Sequence, residues 1–245
     1  MIVEICASNF ESAMAAREGG ANRIELCEQL GVGGLTPSYQ LIERVINEID
    51  APVHVLIRPR SGDFCYSESE LNSMLDDIAF CKNTGCAGIV SGVLTPENEI
   101  DALATGRLIA ACDELSFTFH RAFDLCIDPF TGLRSLLNLN VDRLLSSGQQ
   151  LSATEGLQLL KQLKAHSEGT IEIMPGGGIT DQNAMVFIEA GFHSIHLSAI
   201  KKSGAATSLF NIATEGVSDL EMIKTVVDLA QRKSFGSPPG SHLDH

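Results

Sequence analysis

The chain contains no window near the roughly 18 consecutive apolar residues that a membrane-spanning helix needs. Its start, Met1-Ile2-Val3-Glu4-Ile5-Cys6, lacks the basic stretch and apolar run of a secretory signal, so the cytoplasm is the expected location. Positive charge is scarce: 17 Lys and Arg stand against 31 Asp and Glu, a formal net charge of −14. No basic cluster is longer than Lys201-Lys202, so a phosphate backbone or an anionic membrane surface would be repelled, and neither nucleic acid nor membrane is an expected partner. No CxxC pair occurs among Cys6, Cys27, Cys65, Cys81, Cys86, Cys112 and Cys126, which argues against a zinc ribbon or a thioredoxin-like motif. An odd, scattered set of seven reads as reduced thiols rather than a disulfide framework.

What the sequence does contain is an ordinary globular composition. Of 245 residues, 44% are hydrophobic and 20% charged, which excludes wholesale disorder and leaves ample interior for a core. Short β-branched segments at Ile2–Cys6, Asn22–Cys27, Val53–Arg58, Gly88–Gly92, Ser116–His120, Asp142–Ser146, Ile171–Met174 and Ser194–Ser198 predict eight strands. Between them, apolar residues recur at helical spacing over Ser8–Glu18, Ser38–Ile49, Glu68–Lys82, Ala102–Cys112, Thr154–His166 and Asp181–Ala190. Ser8, Thr36-Pro37-Ser38, Ser67 and Thr180 read as helix starts.

Strands alternating with helices in this way predict an α/β fold, a single-domain TIM-like (β/α)8 barrel over residues 1–233. A doubly wound nucleotide-binding sheet would carry glycines after its first strand; here Ala7-Ser8-Asn9-Phe10 follows, and no nucleotide cofactor is expected. Residues Ser203–Ser218 read as a polar loop, Asp219–Lys233 as a last helix, and 234–245 as a flexible tail.

Strand parity assigns the interior. If Val3, Ile5, Ile24, Leu26, Val53, Val55 and Ile57 face the helices, then Glu4, Cys6, Glu25, Cys27, His54, Leu56 and Arg58 face the barrel axis. The same alternation turns Thr118, His120, Glu172, Met174, His196 and Ser198 inward. Barrel interiors are ordinarily branched and apolar, so this set reads either as a functional site at the C-terminal strand ends or as a salt-bridge network that fixes register.

The loops add candidates. Arg58-Pro59-Arg60-Ser61-Gly62-Asp63 follows strand three and His120-Arg121-Ala122-Phe123-Asp124 follows strand five. Arginine suits oxyanion recognition and histidine proton transfer, while Asp63 and Asp124 can also simply pair with Arg60 and Arg121. Gly176-Gly177-Gly178 after strand seven, with Ser198 after strand eight, forms a candidate anion seat together with Arg60. Cys6 and Cys27 end neighbouring strands on the inner face, where paired thiolates favour a soft ion such as Cu(I), with His120 or His196 as a third donor. Packing as small apolar side chains is the structural alternative.

Several blocks are similar to the CutC family, named for copper homeostasis: Glu4-Ile5-Cys6, Arg23-Ile24-Glu25-Leu26-Cys27, Gly33-Gly34-Leu35-Thr36-Pro37-Ser38, Ile57-Arg58-Pro59-Arg60, Gly62-Asp63-Phe64-Cys65-Tyr66-Ser67, Thr118-Phe119-His120-Arg121-Ala122-Phe123-Asp124 and Ser147-Gly148-Gln149. The resemblance extends to about residue 200 and implies a TIM-like barrel, a cytoplasmic homo-oligomer and a part in copper handling. It makes Cys6 and Cys27 the candidate Cu(I) ligands. A competing account is an enzyme of lyase or isomerase type on a small anionic or phosphorylated substrate. In it Glu25 is the acid/base, His120 the proton shuttle and Arg58 an oxyanion clamp, with Asp124 completing the catalytic set. A third account is a scaffold with a structural polar interior.

Overall fold

The computed structural model describes residues 1–200 and 216–235. The Lys201-Lys202 pair, most of the predicted 203–218 loop and the tail from 236 onward lie outside the described residues. Eight strands, β1 (Ile2–Ala7), β2 (Arg23–Leu26), β3 (Val53–Leu56), β4 (Gly88–Ser91), β5 (Ser116–Phe119), β6 (Arg143–Ser146), β7 (Glu172–Pro175) and β8 (Ser194–Leu197), form one sheet in the order β7-β6-β5-β4-β3-β2-β1-β8. Every ladder is parallel, and a single bridge between Gly176 and His196 brings β7 against β8. The result is the expected (β/α)8 barrel.

The helices are α1 (Phe10–Glu18), α2 (Tyr39–Glu48), α3 (Glu68–Thr84), α4 (Ala102–Cys112), α5 (Pro129–Asn138), α6 (Leu157–His166), α7 (Ala184–Glu189) and α8 (Leu220–Phe235). They cover the outward face of the sheet, where Val3, Ile5, Ile24, Val55, Ile57, Ile89, Phe119, Leu144 and Ile195 are all buried. α5 is an addition to the sequence expectation; Asp128 caps it by accepting the Phe130 amide at 3.1 Å, with Pro129 in its first turn. Asn9, not Ser8, caps α1, because its side chain accepts the Ser12 amide at 2.8 Å. α7 starts three residues later than expected: the Asn183 side chain accepts from the Thr180 amide at 2.8 Å and donates to the Gly178 carbonyl at 2.9 Å, holding 180–183 as a turn.

Inside the barrel the polar residues sort into two levels. The lower level is an ion-pair layer: Arg23 donates to Glu4, and Arg143 donates to Glu172 and to Thr118 Oγ1, both at 2.9 Å. Arg23 continues the inward parity of β2 two residues below Glu25, and Arg143 reaches Glu172 and Thr118 from β6, a strand to which the parity argument assigned no inward residue. His54 lies in the same region, over Gly88, where a Cβ would come within 2.7 Å of the His54 ring. The upper level, at the C-terminal strand ends, holds the candidate site.

Candidate functional site

Register brings the first cluster together. Cys6 is paired with Glu25 across β1 and β2, and Glu4 with His196 across β1 and β8. Cys6 Sγ lies 3.6 Å from Cys27 Sγ and 3.7 Å from Glu25 Oε1. His196 Nδ1 is 2.7 Å from Glu4 Oε1 and 3.7 Å from Glu25 Oε2. One ligand atom from each of Cys6, Glu25 and His196 falls within 4.8 Å of the others. Cys27 is fully buried beside Leu56 and Val90, and Gly34, at φ +86°, passes so near that a Cβ there would lie 3.5 Å from the Cys27 sulfur.

The electrostatics of this cluster follow from burial and neighbours. Burial alone would raise Glu4, but the hydrogen bond and charge of His196, with Arg23 and His54 behind it, hold Glu4 well below the usual carboxylate range. Glu25 goes the other way, pushed up to about 7 by burial and by the Glu4 charge, against the pull of His196. Burial works against the His196 cation, yet Glu25, Cys6 and Glu4 outweigh it and raise His196 well above an ordinary imidazole. Cys6 is also raised, first by its contact with Cys27, then by burial and by the charges of Cys27 and Glu25. Two adjacent carboxyl groups thus carry opposite tendencies, and the Cys6 thiol holds its proton more firmly than an ordinary cysteine.

A cavity of about 100 Å³ opens over this cluster. Cys6, Glu25 and His196 line it from β1, β2 and β8; Arg58, His120 and Arg121 line it from the loops after β3 and β5; Gly177–Thr180 and Ser198–Ile200 complete it after β7 and β8. Cys6, Glu25, Arg58, His120, Gly177, Gly178 and Ser198 are therefore brought together, as the strand parity and loop positions required.

The other expected residues have different surroundings. Arg58 spends donors on backbone: Nη1 reaches the Val32 and Gly34 carbonyls at 2.8 and 3.0 Å, and Nη2 the Gly62 carbonyl at 3.1 Å. It pins two loops to the barrel mouth. Arg60 sits outside the cavity lining, bonded to Asp63 at 2.9 Å, to Glu70 and to the Cys65 carbonyl. Asp124 lies behind the wall, accepting from Arg121 Nε at 2.9 Å, Ser146 Oγ at 2.6 Å, and the Ser147 and Gln149 amides. It organises the loops after β5 and β6. Gly176 is packed where a Cβ would meet Leu145 at 2.4 Å, next to the bridge that joins β7 to β8. Arg121 is the cavity residue that sequence reasoning assigned only to a loop pair; it lies in a tight helical turn, Arg121–Leu125, whose direction no periodicity announces.

The protein is thus a parallel (β/α)8 barrel whose cavity at the C-terminal face is lined by the Cys6 thiol, the His196 imidazole and the Glu25 carboxyl group, with the Cys27 thiol buried behind Cys6. The family model described as CutC family matches residues 1–201, and the chain belongs to that family. A CutC family protein of Pasteurella multocida is 48% identical over 199 residues, covering 81% of this chain and 82% of the relative. The human copper homeostasis protein cutC homolog is 46% identical over 199 residues, covering 81% and 73%. The crystal structure of CutC from Streptococcus agalactiae superposes with a TM-score of 0.76 at 33% identity, covering 81% of this chain and 98% of that one. The N-(5'-phosphoribosyl)anthranilate isomerase of Pyrococcus furiosus, at 15% identity and a TM-score of 0.59 with 95% and 99% coverage, shares the fold alone.

Proposed function

We propose that the protein binds Cu(I) through Cys6 and Cys27, with His196 as the third donor, and that this is its part in copper homeostasis. The observation that carries the reading is the 3.6 Å separation of the two buried sulfurs. Cu(I) is soft, accepts two or three ligands, and is matched by thiolate with imidazole. Glu4 accepts from His196 Nδ1, the carboxylate–imidazole arrangement that orients metal-binding histidines, and Cu(I) would take Nε2 by displacing the protons that the raised His196 and the Cys6 thiol carry. Glu25 offers oxygen, a poor donor for so soft an ion, and ranks last. The copper homeostasis names of the human and mouse relatives support the same assignment. The seven free cysteines, most of them buried, fit a reducing compartment, and we place the protein in the cytoplasm.

The test is a titration of reduced, anaerobic protein with Cu(I) against a chromogenic chelator. Wild type should withdraw about one equivalent, Cys6→Ser and Cys27→Ser should each lose the site, and His196→Gln should weaken it by about 10–100-fold. A Cys6→Ser/Cys27→Ser double variant that competes as well as wild type would refute the assignment.

A further inference from the structure

The thiol cluster leaves one buried group in the cavity unexplained. His120 is 6% exposed, and among the described residues its Nε2 has no hydrogen-bond partner. The other edge of the ring is committed. Ala122 donates its amide to Nδ1 at 3.3 Å, and Gly92 lies so close that a Cβ there would fall 2.8 Å from Nδ1. Phe64 packs edge-on at 4.9 Å between centroids. Because Nδ1 accepts, the proton of the neutral ring resides on Nε2. Burial, then the nearby Arg58 charge, lowers the ring to about 3, so it is neutral at physiological pH and presents an N–H donor.

Two arginines line the same cavity as that donor. Arg58 acts on the ring through its charge, and Arg121 lines the cavity with its guanidinium steadied by Asp124 at 2.9 Å and by Ser147 Oγ at 2.8 Å. Gly177, at φ +108°, lets backbone approach Arg121: a Cβ there would lie 3.3 Å from the guanidinium carbon. A buried donor in a cavity that two guanidinium groups also line calls for an acceptor that carries negative charge. The cavity of about 100 Å³ has room for several waters, which limits the acceptor to a small molecule.

We propose that the His120–Arg121 side of the cavity is a second binding site, for the oxyanion of a small metabolite, with a ligand oxygen accepting the Nε2–H of His120. This site shares the cavity with Cys6 and His196 but uses neither, and it stands or falls without copper binding. Carboxylate and phosphoryl groups share the required chemistry, and the probes distinguish them.

Protein labelled with 15N-histidine is titrated by NMR with inorganic phosphate and, separately, with pyruvate; the His120 Nε2–H resonance is assigned through its contacts to Phe64. A saturable shift of that resonance supports the proposal, with phosphate alone marking a phosphorylated ligand and pyruvate alone a carboxylate. Arg121→Gln should weaken the responding probe by about tenfold or more. The Cys6→Ser/Cys27→Ser protein should retain the shift. No saturable shift with either probe overturns the proposal; so does calorimetric binding to His120→Phe as tight as to wild type.

Discussion

Glu4 is the residue on which the two polar levels of the barrel meet. Its side chain is fully buried, with Arg23 on one oxygen and His196 on the other. Neither neighbour keeps its position or its charge cheaply once that carboxylate is gone, since an uncompensated buried cation is strongly destabilising. Glu4→Ala should therefore lower stability by about 3–5 kcal/mol in urea unfolding. A loss within about 1 kcal/mol, the range of an exposed ion pair, would mean that the layer is solvated rather than dry. At this scale the sequence was partly legible. Alternation in β1 placed Glu4 and Cys6 inside, and the same rule carried two residues back from Glu25 along β2 reaches Arg23. The partners of Arg58 were not legible, because the carbonyls of Val32, Gly34 and Gly62 are brought to it by loop paths that no side-chain pattern encodes.

Among the elements, α3 shows how a local signal can reach the site. Ser67 and Glu70 form a capping box: Glu70 Oε2 accepts the Ser67 amide at 2.7 Å, and Ser67 Oγ accepts the Glu70 amide at 3.3 Å. Glu70 also binds Arg60, so the cap ties the loop after β3 to the helix that follows. Ser67→Ala should cost about 0.5–2 kcal/mol, read as a shift in thermal or urea midpoint. An unchanged midpoint would show that Arg60 alone holds this helix start. Ser67 ahead of the apolar-periodic run made this start readable, whereas α1 begins later than expected because Asn9 rather than Ser8 accepts the first-turn amide, and α7 begins later because the Gln182 amide on Thr180 Oγ1 and the Thr180 amide on Asn183 hold 180–183 as a turn ahead of it. Two candidate polar residues competing within three positions differ by local geometry, which sequence order does not rank. The seat of Asp124 was equally hidden: its acceptor role depends on Ser146, Ser147 and Gln149, some twenty residues further along the chain.

For the whole molecule, buried titratable groups set how stability varies with pH. His54 and His120 are each lowered to about 3, both chiefly by burial. Unfolding lets them bind protons below the ordinary imidazole value, so their contribution is present above about 6.5 and is lost as pH falls toward 3. Glu25, raised to about 7, acts in the opposite sense: its contribution is complete below the ordinary carboxylate value and declines as pH rises to about 7. Two histidines against one carboxylate leave a net gain on the order of 1.4 kcal/mol per pH unit between about 4.5 and 6.5. Above that range the raised His196 makes stability fall again. Metal-free protein should thus be most stable near neutrality in a series of urea midpoints, and a flat profile from pH 4.5 to 6.5 would contradict the burial of the two rings. The barrel itself was the most legible property, since eight apolar strands spaced by amphipathic helices admit few other closures.

Closure has a consequence in time. β8 pairs directly with β1, so the seam of the barrel joins the chain's first strand to its last. A ribosome delivers Cys6, Glu25 and Cys27 early, but His196 emerges only after nearly the whole barrel has been made. A growing chain consequently carries the sulfurs without the imidazole that accompanies them in the finished fold. The assembled cluster exists only once β8 has docked on β1, and its appearance during synthesis marks the closing of the strand order.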